Sequence, residues 1–143
     1  MQDINYAFTV EKDDFVRAGE ASSNIKKILR QLGIDSAVIR NISIATYEAE
    51  MNIVIHSMGG HIELEITPGF IKITASDRGP GIANVELAMQ EGYSTATDKI
   101  REMGFGAGMG LPNMKKCSDR FSVDSSAGKG TVISMEVDLK AGD

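Results

Sequence analysis

Glu48, Asn52 and His56 fall four residues apart in a stretch whose apolar positions, Ile42, Ala45, Ala49 and Ile53, repeat with a helical period. On a helix that spacing stacks the three polar side chains on one stripe. A carboxylate one turn from an amide oxygen has the parts of a general base beside an oxygen ligand for a hard cation. Taken alone, the pair also fits a solvated stripe. His56 either joins them or ends the helix, where a cation suits the helix dipole.

Three further stretches have chemistry in them. Asp77 ends an alternating strand and is followed by Gly79 and Gly81. A carboxylate there can accept from an exocyclic amine while bare backbone lies against a flat ring. A plain Asp-Gly turn explains the same residues. Gly104-Phe-Gly-Ala-Gly-Met-Gly110 alternates glycine with other residues and runs into Leu111-Pro112. Such a run makes a poor strand and a poor helix, because glycine loses the most backbone freedom on ordering. Pro112 near the first turn of a following helix costs little. Glycine backbone leading into a helix start offers amide donors to an anion, phosphate above all. A flexible surface loop is the alternative. No Lys-Ser/Thr follows, so this is not a P-loop. Thr131, after Gly128-Lys-Gly130, either turns its hydroxyl to the same ring or merely begins a strand.

The elements that must position these residues follow from the periodicity. Ile4, Tyr6, Phe8 and Val10 alternate as a first strand. Asp13 or Asp14 is placed to cap a helix running to about Leu32, with Phe15, Ala18, Ala21, Ile25, Ile28, Leu29 and Leu32 on its apolar face and Gly33 as its stop. Asp35 or Ser36 caps a longer helix through about Ser57, ended by Met58-Gly59-Gly60. Ile62, Leu64 and Ile66, then Pro68-Gly69, then Ile71, Ile73 and Ala75 form a hairpin. A short helix over about Asn84 to Glu91 precedes a long polar stretch, Gly92 to Met103, of the kind that serves as a lid. A helix from Leu111 and two strands, Phe121 to Ser125 and Thr131 to Val137, complete the chain. Strands outside βαβ alternation predict an α+β two-layer sandwich, a mixed sheet with helices on one face.

The 143 residues suit one domain, 1–143, and 42% apolar with 24% charged residues suit a globular protein. A net charge of -5 argues against nucleic acid as a direct partner. No apolar run approaches a membrane span, and the first residues lack the pattern of a signal peptide. The single cysteine, Cys117, excludes an internal disulfide and fits a cytoplasmic location. It reads as a small buried hydrophobe on the helix after the glycines. Two histidines and one cysteine cannot form a structural zinc site.

Together, Glu48-x-x-x-Asn52, Asp77-x-Gly-x-Gly81, Gly104-x-Gly-x-Gly-x-Gly110 and Gly128-x-Gly-Thr131 resemble the four nucleotide-binding boxes of the GHKL superfamily, in order and in spacing. That superfamily includes gyrase, heat-shock chaperone, histidine kinase and mismatch-repair ATPases. The length, Glu48-Ala-Glu-Met-Asn52 and Gly92-Tyr-Ser-Thr95 are most similar to the small bacterial switch kinases, the anti-sigma-factor and stressosome serine/threonine kinases. The resemblance implies a Bergerat fold with ATP under a flexible lid. It implies Asp77 on the adenine amine with help from Thr131, Asn52 on magnesium, and the backbone of Gly79, Gly81, Gly104, Gly106, Gly108, Met109 and Gly110 around the nucleotide. Glu48 would be the base toward a serine or threonine hydroxyl. Lys99 and Arg101 are the basic residues nearest the second glycine box, where some relatives place an arginine for the terminal phosphate. The implied function is phosphorylation of a small STAS-like antagonist protein, with a sigma factor or phosphatase as further partner. An ATP-gated binding module with little transfer is the alternative. A histidine-kinase catalytic domain fits poorly, because His56 and His61 both lie within the fold. The strand Ile4 to Val10 offers an edge for a homodimer.

Overall fold

The structure, a computed structural model, describes residues 3–79, 110–126 and 129–139. Within them are strands β1 (Ile4–Val10), β2 (Gly60–Ile66), β3 (Phe70–Asp77), β4 (Arg120–Ser126) and β5 (Gly130–Asp138) and helices α1 (Glu20–Gln31), α2 (Ser36–His56) and α3 (Gly110–Lys116). The predicted short helix over 84–91 and the lid up to Met109 lie outside the described residues.

The five strands form one sheet in the order β1-β2-β3-β5-β4. All four pairings are antiparallel, so the expected mixed sheet is corrected to an antiparallel one. The reason lies in the connections. Two helices, not one, join β1 to β2, so the chain returns to the end of the sheet that it left, and Gly60 pairs with Val10. β2–β3 and β4–β5 are neighbours in sequence and fold back on each other. β5 then inserts between β3 and β4, which keeps the two like-directed strands apart. The α+β two-layer class stands.

Register concentrates the apolar residues on one face. Ile62, Leu64 and Ile66 pair with Ala75, Ile73 and Ile71, which pair in turn with Ile133, Met135 and Val137. All nine are buried. Glu63, Glu65, Lys72 and Glu136 occupy the other face. Ile25 and Leu29 of α1, Ile42, Ala45, Ala49 and Ile53 of α2, and Leu111 and Met114 of α3 close the same core. Burying each large aliphatic side chain stabilises the fold by about 1.5–3 kcal/mol.

α2 is the central helix, in contact with α1, α3, β1, β3 and β5. Asp35 caps it, its carboxylate accepting from the Ala37 N–H at 3.1 Å. α1 starts later than the sequence predicts. Asp14 accepts from the Arg17 N–H in a turn of its own, and Gly19, with φ 95°, is the N-cap. No side chain of α1's own first turn caps it. The capping group comes from α2: the Glu50 carboxylate accepts from the N–H groups of Gly19, Ala21 and Ser22, each at 3.1 Å. A helix start can thus be fixed by a residue about thirty positions away in sequence, which a local capping pattern does not reveal.

Candidate functional site

The C-terminal end of β3 builds one side of the site. Asp77 pairs with Thr131 of β5, and Thr131 pairs with Ser125 of β4, so three polar residues form a row across three strands. The Thr131 backbone N–H donates to Asp77 Oδ1 at 3.2 Å. The Thr131 and Ser125 hydroxyls are 2.8 Å apart. Thr131 is buried and Asp77 half-buried. Burial pushes the Asp77 carboxyl above the ordinary aspartate range, and the Thr131 N–H opposes that shift. Gly130 makes this closeness feasible. Its φ is +84°, and a Cβ there would stand 2.2 Å from the Asp77 carbonyl oxygen. No side chain fits, and the positive φ would strain any other residue.

The stretch after Asp77 is fastened to the end of α2. The Arg78 N–H donates to Gly59 O at 2.9 Å. A Cβ on Gly79 would come within 3.1 Å of Ser57 Cα, so this glycine is needed for strand-to-helix packing as much as for a ligand. His56 ends α2, as its sequence position predicts; its side chain lies outside what the structure describes.

Along α2, Glu48 and Asn52 are half-buried one turn apart, while Glu50, two residues on, is 2% exposed and points to α1. The motif therefore holds two glutamates with different work. Glu50 is a tertiary helix cap. Glu48 faces α3: a Cβ on Gly110 would lie 3.5 Å from its Oε2. Burial pushes the Glu48 carboxyl above the usual glutamate range, and the Asn113 amide works against that rise. A carboxylate with a raised pKa is a stronger base than one in water.

Among the described residues no group of three or more His, Cys, Asp or Glu side chains is placed to hold a metal ion. A lone amide oxygen such as that of Asn52 suits a hard cation only as one ligand among phosphate and water oxygens. The half-buried Asp77 carboxylate, with Oδ1 already oriented, fits an amine-bearing ring.

Residues 37–141 match the family described as histidine kinase-, DNA gyrase B-, and HSP90-like ATPases. The chain belongs to this ATPase family. Among relatives, it is 34% identical over 124 residues to the serine/threonine-protein kinase RsbT of Bacillus subtilis (strain 168), covering 84% of this chain and 85% of that one. It is 31% identical over 140 residues to the anti-sigma F factor of Thermoanaerobacter sp. (strain X514), covering 94% and 91%. In fold it is similar to the RsbU and RsbW domains of a Mycobacterium tuberculosis protein, with a TM-score of 0.63 and 17% identity over 97% of this chain. The chain spans 33% of that longer protein. It is also similar to a chain of the SiaB-SiaC complex of Pseudomonas aeruginosa, with a TM-score of 0.57, 11% identity and coverage of 94% and 89%.

In this ATPase-family fold the structure places Glu48 beside Gly110, Asp77 beside Thr131 and Gly79 beside Ser57, with Asn52 one turn along α2 from Glu48. Gly81, Lys99, Arg101, Gly104, Gly106, Gly108 and Met109 lie outside the described residues. Ser125, beside Thr131, and Glu50, which caps α1, were not singled out by sequence. Ser125 follows Phe121 and Val123 in strict alternation, so its inward direction was readable. Glu50 gave no such signal, because its partners lie at the start of α1. Cys117 is partly buried against the core, as expected of a small hydrophobe.

Proposed function

We propose that this protein is an ATP-dependent serine/threonine kinase of the switch type, acting on a small STAS-like antagonist protein. The observation that supports it best is the half-buried Glu48 carboxylate, with its pKa raised, one helical turn from Asn52 and against the helix that begins at the last glycine of the 104–110 stretch. The kinase name of the RsbT relative supports the same reading.

In this reading Asp77 accepts from the adenine amine, and Thr131 holds Asp77 in place. Asn52 is a magnesium ligand, and magnesium, when bound, neutralises phosphate charge. The backbone of Gly79, Gly81 and Gly104 to Gly110 surrounds the nucleotide, with Lys99 or Arg101 toward the terminal phosphate. Glu48 takes the proton of the substrate hydroxyl as its oxygen bonds the terminal phosphorus and the bond to ADP breaks. The products are a phosphoserine or phosphothreonine protein and ADP. Phosphoryl transfer needs mainly positioning and charge neutralisation, so this short set suffices.

A second reading, an ATP-gated module that holds a sigma factor, phosphatase or other regulator with little transfer, is supported by the similarity to anti-sigma F factors. In this reading the protein acts in the cytoplasm, which the single cysteine fits. β1, at the edge of the sheet with Tyr6 exposed, is the surface offered to a second copy.

Incubation with γ-labelled ATP, with and without magnesium, and the STAS-domain proteins encoded nearby separates the two readings. Magnesium-dependent phosphoserine or phosphothreonine on a STAS protein supports the kinase. Nucleotide-dependent co-elution without label supports the binding module.

A further inference from the structure

We propose that Ser125 is a positioning residue for the Thr131 hydroxyl, turning its proton toward the nucleotide base and so making the site select adenine over guanine. The inference rests on the reading above in which Asp77 accepts from the adenine amine. It deepens that reading and does not depend on whether phosphoryl transfer follows.

The geometry is that of one rung of the sheet. On the helix side, Ile62, Ala75, Ile133 and Val123 lie side by side across four strands, and this rung is apolar. Two residues further along, at the end of the sheet, the rung reads Gly60, Asp77, Thr131 and Ser125. Polar side chains on three successive strands thus continue an apolar face. Glycine flanks Asp77 on both sides. A Cβ on Gly60 would stand 2.1 Å from Ser76 O and 2.7 Å from Asp77 Cα, as a Cβ on Gly130 would stand 2.2 Å from Asp77 O. The rung is therefore set by close backbone packing, and the Thr131 N–H orients Asp77 Oδ1. Thr131 is β-branched, so its hydroxyl has few directions to choose from.

The remaining freedom is where the hydroxyl protons point. A hydroxyl has one proton and two lone pairs, so Thr131 alone can serve a ligand as donor or as acceptor. Ser125 Oγ lies 2.8 Å from Thr131 Oγ1 and 3.3 Å from Gly130 O. Hydroxyl bonds to oxygen are best near about 2.7–2.8 Å, so the serine proton goes to Thr131. The Thr131 proton is then left for the ligand. The opposite order, Thr131 to Ser125 to Gly130, relies on the long contact. With Ser125 donating, the site presents an acceptor, Asp77, beside a donor, Thr131. Adenine presents the N6 amine, a donor, beside the N1 acceptor. Guanine presents O6, an acceptor, beside the N1–H donor. An ionised Asp77 only accepts, but an unguided Thr131 hydroxyl could rotate to accept from guanine. Ser125 removes that freedom.

The test is calorimetric titration of the full chain with magnesium and ATP, GTP or 1-deaza-ATP, in which a C–H replaces the N1 acceptor. The wild type is expected to bind ATP about ten-fold more tightly than 1-deaza-ATP, the effect of one buried hydrogen bond. Ser125→Ala is expected to weaken ATP, leave 1-deaza-ATP unchanged and bring the two within about two-fold, with the preference for ATP over GTP reduced as well. Ser125→Cys, close in size and a weak donor, gives the same reading if the alanine variant fails to fold. An equal loss for ATP and 1-deaza-ATP overturns the inference, as a structural effect that does not pass through Thr131. Unchanged preferences in the variant overturn it too and leave Asp77 in its role. A wild type that binds no ATP removes the base site itself, and the inference with it.

Discussion

Asp77 and Thr131 face each other across β3 and β5, and the Thr131 N–H holds Asp77 Oδ1 at 3.2 Å. A carboxylate oriented by a backbone N–H cannot swing away from a ligand without breaking that hydrogen bond. Asp77→Asn keeps the shape and replaces the charged acceptor. Affinity for ATP is expected to fall about ten-fold or more, and the preference for adenine over guanine nucleotides to weaken. Calorimetric titration with ATP and GTP measures both. Unchanged affinity and preference would return Asp77 to the role of a turn residue.

Glu50 is expected to matter for stability and not for chemistry. It is buried, and its carboxylate satisfies three N–H groups at the start of α1. Glu50→Ala leaves those donors without their acceptor and should destabilise the fold by about 2–3 kcal/mol. Urea denaturation gives the number. A loss of transfer activity in folded protein, with stability unchanged, would mean that Glu50 and not Glu48 serves the reaction.

The contrast between these two glutamates shows what the sequence contains and what it hides. Period alone separates Glu48 from Glu50, because two residues on a helix turn a side chain through about half the circle. The strands of the sheet and a cap at Asp35 or Ser36 were legible for the same reason, being written in local spacing, whereas that spacing left Thr131 open between facing a ligand and merely beginning a strand. The antiparallel course of the sheet was not legible, since strand direction depends on how many helices intervene and where β5 inserts. The start of α1 was misplaced because its cap is supplied by Glu50, far along the chain.

The raised pKa of Glu48 has a consequence for stability. A carboxyl that titrates higher when folded than when unfolded binds its proton more tightly in the folded state. Its stabilising effect is complete at acid pH, below the unfolded range, and disappears as pH rises through the folded range. At neutral pH the ionised, half-buried group therefore costs stability. Glu48→Gln should raise the Tm at neutral pH, and the gain should close as pH falls into the ordinary carboxylate range. Thermal melts at several pH values check this. A variant less stable than the wild type at neutral pH would contradict the assigned burial cost.

The most direct test of the kinase account is the rate of phosphoryl transfer by Glu48→Gln at saturating magnesium-ATP, read beside its ATP affinity. In this account Glu48 stands as a negative charge beside the bound polyanion, so its use would be proton transfer from the attacking hydroxyl and not binding. The account predicts ATP affinity equal to or slightly tighter than the wild type's and transfer to the protein substrate lower by about 10²-fold or more. Full transfer by the variant would contradict it.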